Sequence, residues 1–175
     1  MDEHQAVRLC RGGDRDAFRY LVERHKDVLF GTAYLMTGDR ALSEDLVQEA
    51  FLSAWKGLRD FRDGMPVKPW LVRILVNKAV SHRRRFRSET TFDAQSASNG
   101  ADSPGDTTEQ MDNRAAVQRA LSTLSDEQRQ TVMLRYFADL STAEIGSVLR
   151  CEETTVRTRL HRALGHLRQA LASRP

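Results

Sequence analysis

The chain has 175 residues, a formal charge of +3 and a pI near 9.1, a length that suits one ordinary domain or two small ones. Its most apolar run, LVRILV, is short and interrupted by Arg73, and its start, MDEHQAV, is acidic; neither a membrane span nor a signal peptide is expected, and the protein reads as cytoplasmic. Cys10 and Cys151 stand far apart without further Cys or closely spaced His partners, which excludes a disulfide framework or an ordinary zinc site.

Charge is unevenly spread. Basic residues concentrate at Arg83–Arg87 and Arg157–Arg168, whereas Ser88 to Asp112 holds acids and no Lys or Arg. Two cationic patches separated by an anionic stretch suggest a polyanion held at two places.

Residues 3–11 read as a short helix stopped at Gly12-Gly13. Asp14 can cap a second helix running to about Thr37 and ending at Gly38, with an apolar stripe of Phe18, Leu21, Val22, Val28, Leu29, Ala33 and Met36. His25 falls on that stripe, and no acid or second His is placed to complete a site, so a packed histidine is the better reading. A third helix, about Ala41 to Asp60, has a core face of Leu46, Val47, Ala50, Phe51, Ala54 and Leu58. Its second stripe is Asp45, Gln48, Glu49, Leu52, Lys56 and Arg59. A leucine among polar residues suits docking on a basic helical partner, but on spacing alone a solvated face is the better reading.

Pro66 and Pro69 make Asp60 to Lys68 a constrained connector, and Pro69 suits the first turn of a fourth helix. On that helix Leu71, Val72, Leu75, Val76, Ala79 and Phe86 gather on one side. Trp70, Arg73, Asn77, Ser81 and Arg84 gather on the other, with Ile74 among them. The first face suits burial. The second carries an indole, guanidinium groups and an amide, which can stack on bases, pair with phosphates and read base edges. A core helix with a solvated basic end accounts for the stretch equally well, as does Trp70 packed on a neighbouring helix.

Ser88 to Asp112 is rich in Ser, Thr, Gly, Asp and Ala, with Phe92 its only aromatic, and reads as a flexible acidic linker. Beyond it a helix is expected to begin near Gln110 and to hold Val117, Ala120 and Leu121. Ser125 with Gln128 forms a capping box opening a helix through Val132, Leu134 and Phe137, and Ser141 with Glu144 forms a second, ahead of Ile145, Val148 and Leu149. After a break at Arg150-Cys151, a helix from about Glu152 to Leu171 places Val156, Leu160, Leu164, Leu167 and Leu171 on one side. Thr154, Thr158, His161 and Arg162 face away, flanked by Arg157 and Arg159. Two short helices with a tight turn, the second basic on its outer face, make a helix-turn-helix pattern suited to a DNA major groove; a plain helical hairpin is the alternative, and the paired capping boxes, apolar register and basic face together favour DNA.

These residues resemble the extracytoplasmic-function (ECF) group of sigma-70 family RNA polymerase sigma factors. The N-terminal likeness lies in DAFRYLVERH, AYLMTGD, SEDLVQEAFLSAW and PWLVRILVNKAVSHRRR. The C-terminal likeness lies in LSDEQRQTVMLRYFADLSTAEIGSVL and TTVRTRLHRALGHLR. The resemblance implies an all-α fold of two small helical domains: residues 1–87 as sigma-2, 88–112 as a flexible acidic linker through the polymerase cleft, and 113–175 as sigma-4. By the same likeness Asp45, Gln48, Glu49 and Leu52 would dock on the β′ clamp helices of core RNA polymerase, whose β subunit is a further expected contact. Lys56, Phe61, Arg62, Trp70, Arg73, Asn77, Arg83 and Arg84 would engage the −10 element, and Thr154, Arg157, Thr158, His161 and Arg162 the −35 element. Promoter DNA and an anti-sigma factor complete the implied partners; no cofactor, metal, catalysis or membrane insertion is implied. Three positions depart from the family pattern: Ser81 stands where Asp is frequent, and Arg150 and Glu152 replace the usual turn glycine and capping serine. Glu153 lies nearby, where its charge would weaken a phosphate contact or select a cytosine amino group.

Two other classes are distinguishable. A polymerase-independent helix-turn-helix regulator would bind duplex DNA tightly and alone. A nucleic-acid enzyme would need a carboxylate cluster, phosphate loop or nucleophile–base pair, and the sequence offers none.

Overall fold

The structure, a computed structural model, describes residues 1–89, 116–117 and 119–172. All regular structure among the described residues is helical: α1 (Glu3–Arg11), α2 (Arg15–Thr37), α3 (Arg40–Gly57), α4 (Val67–Glu89), α5 (Asp126–Tyr136), α6 (Thr142–Leu149) and α7 (Glu153–Ala172), with further helical turns at 116–117 and 119–122. The chain divides into two units, Met1–Asn99 and Gly100–Pro175. From residue 90 onward the expected linker lies outside the described residues, as does the expected helix start at Gln110; Ser88 and Glu89 still belong to α4. No helix among the described residues is long and apolar enough to cross a membrane.

Aspartates start the first three helices. Asp2 accepts from the Gln5 amide, Asp14 from those of Asp16 and Ala17, and Asp39 from that of Leu42, each satisfying donors the first turn leaves open. Gly38 ends α2 in the left-handed region, φ 69°, where a side chain would be strained. Leu21, Leu29 and Ala33 of α2, Leu46, Ala50 and Ala54 of α3, and Leu71, Val72 and Leu75 of α4 are buried. Phe18 joins this core edge-on to Trp55, with ring centroids 5.0 Å apart. The buried hydroxyls of Thr32 and Ser43 donate to the carbonyls of Val28 and Asp39.

Three side chains depart from the expected pattern. Phe86 was placed on the apolar side of α4 but is 58% exposed, because residues 81–86 run past the packed core. Leu171 is exposed for the same reason at the end of α7. His25 is packed, as expected, but it does have an acid beside it. Its Nε2 lies 3.3 Å from Oε1 of Glu3, outside hydrogen-bonding geometry, because α1 folds back over α2. Glu3 also takes Arg24 at 2.6 Å.

Burial pushes His25 below its ordinary pKa of 6.5, against the opposing pull of Glu3 and alongside repulsion from Arg24 and Lys68. Well above pH 6.5 the imidazole is neutral in both folded and unfolded chains, so its contribution is constant. As pH falls below that value the unfolded chain takes the proton first, and stability declines by at most about 1.4 kcal/mol per pH unit from this group. Urea unfolding of wild type and His25→Leu between pH 7 and 5 should show the shallower pH dependence in the variant.

Candidate nucleic-acid interface

The fourth helix sorts its side chains by spacing. Leu71, Val72, Leu75, Val76 and Ala79 are buried, while Arg73, Asn77, Ser81, Arg83 and Arg84 are exposed on the remaining surface. Trp70 is half-buried. Its indole packs on Phe61, with ring centroids 4.7 Å apart and planes at 53°, and its Cζ2 edge lies beside Gly57 at the end of α3, which leaves part of the ring accessible. Phe61 itself is 5% exposed, so the structure places it under Trp70 rather than on the surface. Its apolar ring fills the corner where the α3–α4 connector turns back on the core. Arg62 projects outward from that connector, and Lys56 from the last turn of α3.

The connector is fastened by a residue that sequence reasoning missed. Arg11, at the end of α1, donates through Nε to the Leu58 carbonyl at 3.0 Å and through Nη1 to the Asp63 carboxylate at 2.8 Å. Its Nη2 donates to the Phe61 carbonyl. These partners are remote in sequence and follow no helical period, so no local signal marks them.

On α3, Asp45, Gln48, Glu49 and Leu52 are all exposed, and Leu52 is 62% accessible amid its polar neighbours. Glu49 takes Lys78 of α4 at 3.2 Å, a link between the acidic stripe and the fourth helix.

In the C-terminal unit both expected capping boxes form: Ser125 with Gln128 opens α5, and Ser141 with Glu144 opens α6. Val156 and Ala163 seat α7. Thr154, Arg157, Thr158, His161 and Arg162 are all exposed along one side of it. Thr154, Thr158 and Arg162 also line a shallow groove of about 430 Å³ shared with Ser125 and Gln128. Arg159 turns inward instead, reaching Glu127 of α5 at 2.8 Å and the sulfur of Cys151 at 3.7 Å. Glu153 binds the Thr142 hydroxyl at 2.5 Å and Arg157 at 2.7 Å, and these two partners, Thr142 first, hold its carboxyl below the usual range.

This geometry matches a known family at both ends of the chain. Sigma-70 region 2 matches residues 21–89, and Sigma-70, region 4 matches residues 114–167. The chain is 30% identical to the ECF RNA polymerase sigma factor SigW of Bacillus subtilis, over 94% of each chain. It is 35% identical to the ECF RNA polymerase sigma factor SigL of Mycobacterium tuberculosis, over 87% of this chain and 88% of that one. Among solved structures it is similar to CnrH, solved in complex with the cytosolic domain of CnrY, with a TM-score of 0.76, 26% identity and 99% of each chain covered. The chain belongs to the ECF sigma factors.

As an ECF sigma factor it binds core RNA polymerase and directs promoter-specific transcription initiation. The region 2 match begins after α1, so Arg11 lies outside the matched segment. The region 4 match takes in α6, α7 as far as residue 167, and the turn between them. Arg150 adopts the left-handed conformation itself, φ 55° and ψ 48°, and its amide still caps α6 through the Gly146 carbonyl. Gly146 is required for close approach, since a Cβ there would lie 2.8 Å from the Cys151 carbonyl oxygen. Glu152 supplies its carbonyl to the Val156 amide at 3.2 Å, and the Glu153–Thr142 bond joins the two helix starts. Arg150→Gly should relieve the left-handed strain and stabilise the chain by about 0.5–1 kcal/mol in denaturant unfolding, with affinity for −35 duplex unchanged.

Proposed function

We propose that the two units divide the initiation task as sigma-2 over residues 1–87 and sigma-4 over residues 113–175, with 88–112 as the linker between them. In this reading Asp45, Gln48, Glu49 and Leu52 dock on the β′ clamp helices of core polymerase. Leu52 supports it: a strongly exposed leucine ringed by acids and an amide fits a basic, partly apolar helical partner better than it fits water.

Trp70, Arg73, Asn77, Arg83 and Arg84, with Lys56 and Arg62 beside them, take the −10 element, and the outer face of α4 is the observation that carries this assignment. Phe61 serves from beneath, bracing the indole. Duplex DNA must give up pairing and stacking before its template is read, and a protein favours this by binding the separated strand better than the duplex. Extruding one base costs a few kcal/mol, and stacking on an aromatic returns about 1–3 kcal/mol. The half-exposed indole can therefore bias melting without fuel or chemistry of its own. Thr154, Arg157, Thr158, His161 and Arg162 hold or read the −35 element, each phosphate neutralised steepening the log–log salt dependence by about 0.9.

An anti-sigma factor is the class of regulatory partner we propose, by likeness to CnrH, which was solved with the cytosolic domain of CnrY. Acting on promoter DNA with core polymerase, the protein in this reading works in the cytoplasm.

In vitro transcription with purified core enzyme on a promoter library tests the reading as a whole. Tight, specific duplex binding by the free chain, with no defined starts in the presence of core, would favour a polymerase-independent regulator and overturn it. Trp70→Ala should leave core association and −35 binding intact while lowering permanganate reactivity of −10 thymines; unchanged opening would remove the indole from the site. Arg162→Ala should cost about 1–3 kcal/mol of −35-dependent initiation if the contact is to a base, and a loss independent of −35 sequence would mark a phosphate contact.

A further inference from the structure

A basic residue in the last turn of a helix ordinarily serves that helix's own terminal carbonyls. Arg11 leaves α1 instead. Three nitrogens of one planar guanidinium each take a different acceptor on the connector between α3 and α4: the Leu58 carbonyl, the Phe61 carbonyl and the Asp63 carboxylate. The side chain is 27% exposed, so these charge-assisted bonds are better shielded from water than an ordinary surface ion pair.

The segment so held combines two buried residues, Leu58 and Phe61, with the exposed part of the proposed −10 site. Leu58 closes α3, Phe61 carries the ring beneath Trp70, and Arg62 and Met65 project into solvent from the same connector. A shift of the Phe61 backbone passes directly to the indole, because the two rings are in contact. The other end of α1 is tied to α2 through Glu3 and Arg24 at 2.6 Å. Thus α1 spans from the core helix at one end to the connector at the other.

We infer that Arg11 is a positioning residue for −10 recognition: its guanidinium fork sets the shape of the connector from Leu58 to Asp63 and, through Phe61, the pose of the Trp70 indole, without touching DNA itself. This rests on the proposed role of Trp70 and the connector in reading the separated strand. Displacing a stacking group by about an ångström is enough to lose most of its interaction, even when the cause lies far from the contact.

The test uses holoenzyme assembled from core polymerase and the full chain. Three affinities are measured: for a single-stranded oligonucleotide carrying the non-template −10 sequence recovered from the promoter library, for a duplex carrying only the −35 sequence, and for core polymerase. Arg11→Ala should weaken the −10 strand about tenfold while the other two affinities stay within about twofold. Arg11→Lys should recover less than half of the loss, because one ammonium on a flexible stem cannot serve three separated acceptors. Asp63→Ala removes the 75% exposed arm of the fork without disturbing the core, and should weaken the −10 strand about two- to threefold. An equal decline in all three affinities, or full rescue by Lys, would reduce Arg11 to general stability and overturn the inference. Unchanged −10 affinity in Asp63→Ala would also overturn it, and this variant decides the matter if Arg11→Ala does not fold. Trp70→Ala run in parallel separates the two levels. If it weakens the strand and the Arg11 and Asp63 variants do not, this inference alone fails; if it too binds at full affinity, the assignment of the connector and indole to the −10 strand fails with it.

Discussion

The −10 role proposed for α4 needs its polar face held at a fixed angle, and that requires the opposite face to be immobilised. In this chain the burial of Leu71, Val72, Leu75 and Val76 against α2 and α3 supplies the constraint. Each such side chain contributes about 1.5–3 kcal/mol when fully removed from water. Because the two faces share one backbone with a period of 3.6 residues, fixing the apolar stripe fixes the azimuth of Trp70, Arg73 and Asn77. The outer face therefore needs no scaffold of its own. It also explains why the exposed basic run at the end of α4, beyond the last core contact at Ala79, is less firmly placed by packing than the residues before it.

Much of what is encoded locally was legible in the sequence; the caps at Asp2 and Asp39 were not, and α4 starts at Val67, inside the expected connector Asp60 to Lys68. The stops at Gly12-Gly13 and Gly38, the caps at Asp14, Ser125 and Ser141, and the core faces of α3 and α4 all follow from spacing and capping chemistry, and all are present. The third helix starts one residue earlier than expected, at Arg40, because Asp39 is its cap, and it ends at Gly57 because Leu58 to Asp60 turn toward Arg11. Aromatic burial was harder to read. Phe61 sits in a connector yet is buried, whereas Phe86 keeps the apolar register of α4 yet is exposed. Periodicity reports which side of a helix a residue lies on, and says nothing of where the neighbouring helices end.

Long-range polar pairs were not legible at all. Arg11 with the connector, Glu3 with Arg24 and His25, Lys78 with Glu49, and Arg159 with Glu127 join elements whose separation in sequence carries no repeating signal. Several of these residues looked like plain surface charge. Arg159 is the clearest case: it flanks the outer face of α7 in register, but its side chain has turned back to fasten α7 to α5. Membership of the ECF sigma factors accounts for the division into two matched regions. It leaves these pairs, and the part played by α1 ahead of the region 2 match, to the structure.

In the −35 role proposed for α7, its cations are consequently not equivalent. Arg159 is committed to Glu127, and taking a phosphate would cost it that tertiary link. Arg157 is paired with Glu153 on an exposed surface, where such a bridge is worth only about 0–1 kcal/mol, so a phosphate can displace the carboxylate at little cost. Glu153 then keeps its bond to Thr142, and the joint between α6 and α7 survives the exchange. In the proposed complex a carboxylate so placed would repel any backbone path that brings a phosphate to the start of the helix instead of to Arg157 itself. On that proposal an acid at the edge of a basic surface would add to register on the duplex, alongside whatever the bases contribute.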